Sequence, residues 1–242
     1  MLSRILLAAQ KLLIFKEIRH PVGLLRYYFY RCVGRGIKVY SESKAEHLGR
    51  NTFEHNFQGM RRSITKHERV LHLIWPLLAI ERVARDRSTM KTLSIGPRSE
   101  GELLLLAGYG FKWKNIHGID LFSYCPRIDV GDMHEMPYAD STFDVVFSGW
   151  SLGYSDEQER ALKEIVRVLK PGGYVAFGQG YNADTGTKTY WAGAKDRSRN
   201  TIDTIFAPIK EHVETVYFRH ELTPEMIDRG ERAILTVFSI RK

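Results

Sequence analysis

Cysteine is scarce in this chain. Its 242 residues include only Cys32 and Cys125, far apart and in no Cys-X-X-Cys pair. That excludes a disulfide scaffold and a thiolate zinc site, and it points to a reducing, cytoplasmic compartment. No apolar run is long enough to cross a bilayer. The most apolar stretch, "MLSRILLAAQKLLIF", is broken by Arg4 and Lys11 and is followed by no small-residue cleavage site. Neither a membrane span nor a signal peptide is expected there. Internal repeats and low-complexity tracts are also missing. Acidic residues are few in the first third. Residues 1–90 hold 17 Lys and Arg against 7 Asp and Glu, a net of +10, whereas the remainder holds 19 against 21, a net of −2. Such asymmetry fits a membrane surface, a phosphorylated substrate or a nucleic acid as partner, and it equally fits a solvated basic face.

What is present is a packable sequence, with 43% hydrophobic and 12% aromatic residues, which argues against disorder. Leu2, Ile5, Leu6, Ala9, Leu12 and Leu13 recur at helical spacing. Such an amphipathic helix either packs on the protein's own core or lies at a membrane interface, at the inner face of a membrane. In the second case residues 1–33 make peripheral contact, with Lys16, Arg19, Arg26 and Arg31 near lipid phosphates. Helices are expected over about 2–18, 21–33 and 67–87, the last kinked or restarted at Pro76. Residues 34–66 read as a polar loop.

From residue 91 strands and helices alternate. "KTLSIG", "NIHGIDL", "RIDVGD", "FDVVFSGW" and "YVAFGQG" read as strands, and "EGELLLLAGYG" and "DEQERALKEIVRVLK" as helices. Pro171-Gly172-Gly173 reads as the turn ending the second helix. "HVETVYFRH" and "RAILTVFSI" complete seven strands. This alternation predicts an α/β, doubly wound parallel sheet whose ligand sits beyond the carboxyl ends of the strands, at the topological switch point.

The first strand's exit loop, "SIGPRSEGE", is where that ligand is expected. Gly96 eases the turn, and Ser99 with Glu102 three residues on has a capping-box pattern. The helix start offers free N–H groups to an anion. Asp120 ends the second strand 24 residues after Gly96, where a carboxylate accepts from ribose hydroxyls. Asp132 follows the third strand, where a carboxylate accepts from an adenine amino group and the Met133 N–H reaches a ring nitrogen.

The series "GDMHEMPYADSTFDVVFS" followed by "EIVRVLKPGG" resembles the class I S-adenosylmethionine-dependent methyltransferases, nearest the subgroup acting on small molecules. The motifs cover about residues 91–180, and the strand count extends the resemblance to the C-terminus. It implies a Rossmann-like sheet of seven strands with an antiparallel last strand, plus an N-terminal helical extension. Residues 1–90 form a basic helical cap or lid, and residues 91–242 the S-adenosylmethionine-binding domain. It also implies site roles. Gly96, Pro97, Arg98 and Ser99 pass beneath the methionine part of the cofactor, Asp120 holds the ribose with Leu121 beside the adenine, and Asp132 and Met133 hold the adenine. Ser148, Gly149 and Trp150 line the cavity where donor and acceptor meet.

The chain departs from the family in that first loop. Ser94 stands where the family has an acidic residue, and Arg98 and Glu100 stand where it has glycines. Arg98 either pairs with the cofactor's carboxylate through its planar fork or points to solvent and leaves only its backbone to act. No metal-ligand cluster is apparent. For an acceptor hydroxyl a general base helps, and the candidates are His134, Tyr154, His47, His55 and His67. Phe53–Arg69 reads as a lid, with Arg61 and Arg62 facing a phosphate or solvent. The favoured function is O-methylation of a small or lipid-linked anionic acceptor, such as a cell-surface glycan precursor. The rivals are a non-catalytic S-adenosylmethionine-binding or scaffold protein and an RNA or protein methyltransferase. No specific nucleic-acid module is present.

Overall fold

The computed structural model describes residues 8–40, 59–60, 62–65, 68–155, 157–180 and 201–242. Helix α1 (Lys16–Tyr30) leads through Arg31–Arg35 into the short strand β1 (Lys38–Val39). Helices α2 (Glu68–Leu78) and α3 (Glu81–Asp86) follow. Then come β2 (Thr92–Ile95), α4 (Glu100–Gly108), β3 (Ile116–Asp120), β4 (Phe122–Ser123), β5 (Ile128–Val130) and β6 (Phe143–Gly149). The chain ends with α5 (Gln158–Val168), β7 (Leu169–Gly180), α6 (Ile202–Phe206), β8 (Val213–His220), α7 (Pro224–Asp228) and β9 (Ala233–Ile240).

Seven strands form one sheet in the order β5-β3-β2-β6-β7-β9-β8. The first five are mutually parallel, and β9 runs antiparallel to both neighbours. The alternation of strand side chains divides the core between two faces. Val145, Phe147, Tyr174 and Ala176 join Tyr27, Ile64, Leu73, Ile74 and Leu77 on one face. Phe143, Val146, Val175 and Phe177 join Ile165, Phe206 and Phe238 on the other. Helix α4 is buried almost all round, as its Leu103–Leu106 run demands.

Three local expectations change. The break expected between residues 18 and 21 falls earlier, at Leu12–Phe15, where Phe15 is extended and Arg19 Nη1 donates to the carbonyls of Leu13 and Ile14 at 2.9 and 2.8 Å. Pro21, exposed in α1, removes one ladder bond without ending the helix. Likewise α2 passes through Pro76 and stops two residues later, and extended Ile80 precedes the restart at Glu81. Finally, Pro171-Gly172-Gly173 is a bulge inside β7. The register jumps from Phe143↔Leu169 to Val145↔Tyr174, and Gly172 takes the left-handed φ of 70° that the detour needs.

Candidate functional site

The chain leaves β2 toward β3 on one side and leaves β6 toward β7 on the other, so the carboxyl ends of β2 and β6 flank the switch point. Gly96 leaves β2 at φ 71°, and a Cβ there would stand 3.0 Å from the Ser151 Cβ. Only glycine fits that turn comfortably. Arg98 also adopts a left-handed φ, 57°, which is costly for a residue with a Cβ. Its backbone N–H donates to Asp120 Oδ2 at 2.8 Å, which holds the loop in that shape. Pro97 is buried beneath it.

Asp120 is 5% exposed. Burial pushes its carboxyl up to about 6, against the opposing pull of the Arg98 N–H and charge. Glu102 is a second carboxyl at the same place. Ser99 caps α4 by accepting from the Gly101 N–H at 3.3 Å, yet Glu102 does not close the expected capping box. It turns back instead to accept a short hydrogen bond from the Ser94 hydroxyl. Glu102 is half-buried. Burial raises its carboxyl to about 7, opposed by the Ser94 bond and the Arg69 and Arg98 charges.

The two residues standing in place of glycines diverge. The fully buried Glu100 carboxylate receives both Nη2 and Nε of Arg26, at 2.7 and 3.1 Å, and the Glu100 N–H donates to the Tyr124 hydroxyl at 2.9 Å. Arg26 lies over the rings of Tyr30 and Trp113 at 5.3 and 5.1 Å. Arg26 therefore ties α1 to the start of α4, and the expectation that Arg19 and Arg26 face lipid phosphates is corrected. Arg19 is buried on helix carbonyls, and Arg26 holds a carboxylate. Arg98 Nη2 donates to the Tyr154 hydroxyl at 3.0 Å, with its guanidinium 5.7 Å from the ring centroid. A methyl group at Gly59 would stand 3.4 Å from Arg98 Nη1, so part of the expected lid reaches this loop.

Trp150 follows β6 at a left-handed φ of 60°, and its N–H donates to the Gly178 carbonyl at 2.6 Å. The Arg69 guanidinium, from α2, stands 4.9 Å from the Trp150 ring centroid. Arg69 has no hydrogen bond or ion pair among the described residues. Its pKa is lowered, first by burial and then by the like charge of Arg98. Below these, Ser148 and Ser151 share a hydrogen bond of 3.1 Å. Leu121 is buried, and its carbonyl accepts from the Tyr40 N–H at 2.8 Å as β1 pairs with β4.

At the end of β5, Asp132 Oδ1 accepts from the His134 N–H at 3.0 Å and meets His134 Nδ1 at 2.5 Å. His134 Nε2 meets Ser155 Oγ at 2.5 Å, and the ring is 2% exposed. Both ring nitrogens of His134 are thus engaged, and the ring packs inside the protein. Met133, half-buried, follows Asp132. Tyr40 stands nearby, its phenol pushed up by burial and by Asp132 and Glu135. His47, His55, His67 and Arg61 lie outside the described residues, and Arg62 is exposed. Sequence reasoning missed Glu102, Arg69 and Tyr40 as site residues. The signal for Glu102 is an acid directly before "LLLL", a pattern that also reads as a capping box.

Residues 93–177 match the family model described as a methyltransferase domain. A sterol 4-C-methyltransferase of Caenorhabditis elegans is 49% identical over 47 residues, 19% of this chain and 14% of that protein. A glycine/sarcosine/dimethylglycine N-methyltransferase of Actinopolyspora halophila is 33% identical over 93 residues, 38% of this chain and 15% of that protein. The chain thus spans about a seventh of the length of each of these two curated relatives. Among solved structures, a chain from the complex between the Haloferax volcanii Trm112 methyltransferase activator and a methyltransferase superposes with a TM-score of 0.60 at 18% identity. That match covers 78% of this chain and 97% of the other. The N-methyltransferase NodS of Bradyrhizobium japonicum, in complex with S-adenosyl-l-homocysteine, superposes with a TM-score of 0.51 at 18% identity, covering 77% and 99%.

Proposed function

We propose that this chain, whose residues 93–177 match the methyltransferase domain model and whose fold is shared with a methyltransferase chain of known structure, uses S-adenosylmethionine to transfer a methyl group to an oxygen of a small or lipid-linked anionic acceptor. The observation that carries the reading is the buried Asp120 carboxylate fixed at the end of β3 by the Arg98 N–H, beneath the Gly96 turn.

The residues present fit the cofactor. Asp120 offers a carboxylate to the ribose hydroxyls, and Asp132, held by His134, offers one to the adenine amino group. Arg98 and Glu102 bracket the loop with opposite charges, which suits the carboxylate and ammonium of the amino-acid end. When bound, the cofactor supplies an electrophilic methyl on a sulfonium sulfur. This chain's part is alignment, worth up to about 7–11 kcal/mol in favourable cases. An anionic acceptor is favoured because Arg69 stands over Trp150, unpaired among the described residues and beside the like charge of Arg98. An acceptor oxygen that is already ionised needs no general base. Tyr154 is then a positioning residue for Arg98 rather than a proton acceptor.

Calorimetry with S-adenosylhomocysteine tests the cofactor reading, and micromolar binding lost in Asp120→Asn is the expected result. Transfer of labelled methyl from S-adenosylmethionine to a cell-extract fraction then separates an enzyme from a protein that only binds the cofactor. Cofactor binding with no labelled product in any fraction would sink the catalytic reading.

A further inference from the structure

The outer face of α1 and the turn before it are apolar and uncovered among the described residues. Among the described residues, nine of the twelve large hydrophobic side chains that remain exposed lie between Leu12 and Val39. Ile18, Leu25, Phe29 and Val33 recur at helical spacing on the side opposite buried Gly23 and Tyr27, and Phe15 extends the stripe. Leu25 is 72% exposed and Phe29 57%. A helix of a soluble monomer buries one face. This one has a second apolar face that its own packing does not use.

The charge around that face is of one sign. Residues 8–40 contain seven Lys and Arg and a single acid, Glu17. Lys11, Lys16 and Lys38 are exposed and have no ion pair among the described residues. A second copy docking on the same patch through a two-fold axis would set basic rim against basic rim. A lipid surface with anionic headgroups satisfies both features, since apolar side chains enter the headgroup boundary while lysines meet phosphates. No described helix is long and apolar enough to cross a membrane.

We propose that the outer face of α1, with Phe15, Ile18, Leu25, Phe29 and Val33, docks the protein on an anionic bilayer surface. This goes beyond the methyl-transfer reading and stands independently of it. Within the contact expected over residues 1–33, this narrows the apolar surface to α1 and the turn before it, with Lys11, Lys16 and Lys38 as its cations rather than Arg19 and Arg26.

The test is co-flotation of the full chain with vesicles of phosphatidylcholine alone or mixed with phosphatidylglycerol. Binding should be at least about tenfold tighter to the mixed vesicles and should weaken as salt is raised. The double variant Leu25→Glu/Phe29→Glu should lose vesicle binding about tenfold or more while keeping its melting temperature and its affinity for S-adenosylhomocysteine. Lys11→Gln/Lys16→Gln should remove most of the preference for anionic lipid. Three outcomes overturn the proposal. They are absence of the parent protein from floated vesicles, a parent that sediments as a dimer and becomes monomeric in the double variant, and a double variant that melts at lower temperature because other parts of the chain cover the face.

Discussion

Asp120 and Glu102 both sit where burial raises their carboxyls, to about 6 and about 7. A ribose hydroxyl or an ammonium favours the ionised form of each, so ligand binding should drive protons off. Affinity for S-adenosylhomocysteine is therefore expected to tighten about tenfold between pH 5 and 7, with net proton release in buffers of different ionisation enthalpy. Stability has the opposite sign. A carboxyl whose folded pKa is raised binds its proton more tightly when folded, so its contribution falls as pH rises from the unfolded value toward the folded one. Glu102→Gln should thus melt progressively higher than the parent as pH goes from 5 to 8, yet bind S-adenosylhomocysteine more weakly. Arg98→Ala should weaken S-adenosylhomocysteine binding by about 1.5–3 kcal/mol and leave 5′-methylthioadenosine, which lacks the amino-acid end, almost unchanged. Equal losses for both ligands would mean that Arg98 acts only through loop shape.

At the scale of elements, the N-terminal segment is joined to α4 by the Arg26–Glu100 pair and by close packing at two glycines. A Cβ at Gly108 of α4 would stand 2.6 Å from the Ile14 nitrogen in the turn before α1, and one at Gly23 of α1 3.5 Å from Leu104 Cδ1 of α4. Removing Arg26 leaves a carboxylate in a site with no exposure. Arg26→Met should cost about 3 kcal/mol in chemical denaturation, toward the low end for buried pairs because Arg26 itself is 30% exposed. Replacing both, Arg26→Met with Glu100→Gln, should cost less than Arg26→Met alone. Since Glu100 begins the helix that follows the Arg98 loop, the single variant should also weaken S-adenosylhomocysteine binding.

For the whole molecule, the N-terminal third supplies part of the core rather than a detachable cover. Met60, Ile64, Leu73, Ile74 and Leu77 pack with Val145, Phe147, Ala176 and Val237 in one cluster. A chain beginning at residue 91 would leave one face of the sheet apolar and bare. It should be insoluble or lack cooperative thermal unfolding and bind a hydrophobic dye, whereas cooperative melting of that fragment would show that residues 1–90 are an independent cap. The stripe on α1 is then the outer surface of an element whose inner surface is already committed.

The sequence by itself determined the sheet. Each of the seven strands lies where its run reads, because strand position follows from β-α alternation and from short apolar runs bounded by turn residues, both local properties, whereas the strand order is set by tertiary packing. It also placed Gly96, Asp120 and Asp132 at or just after the ends of their strands, since that spacing follows from the lengths of a strand and a helix. Tertiary structure alone decided the rest. Ser99 with Glu102 reads as a capping box, but Glu102 turns to Ser94 because a buried hydroxyl eight residues away competes with the helix end. Glu100 reads as a misplaced glycine, but it meets Arg26 because α1 crosses α4, a contact spanning 74 residues. Arg19 and Lys16 look alike in the chain. Only packing buries the first and leaves the second in water, because which side of a helix faces inward depends on what lies against it.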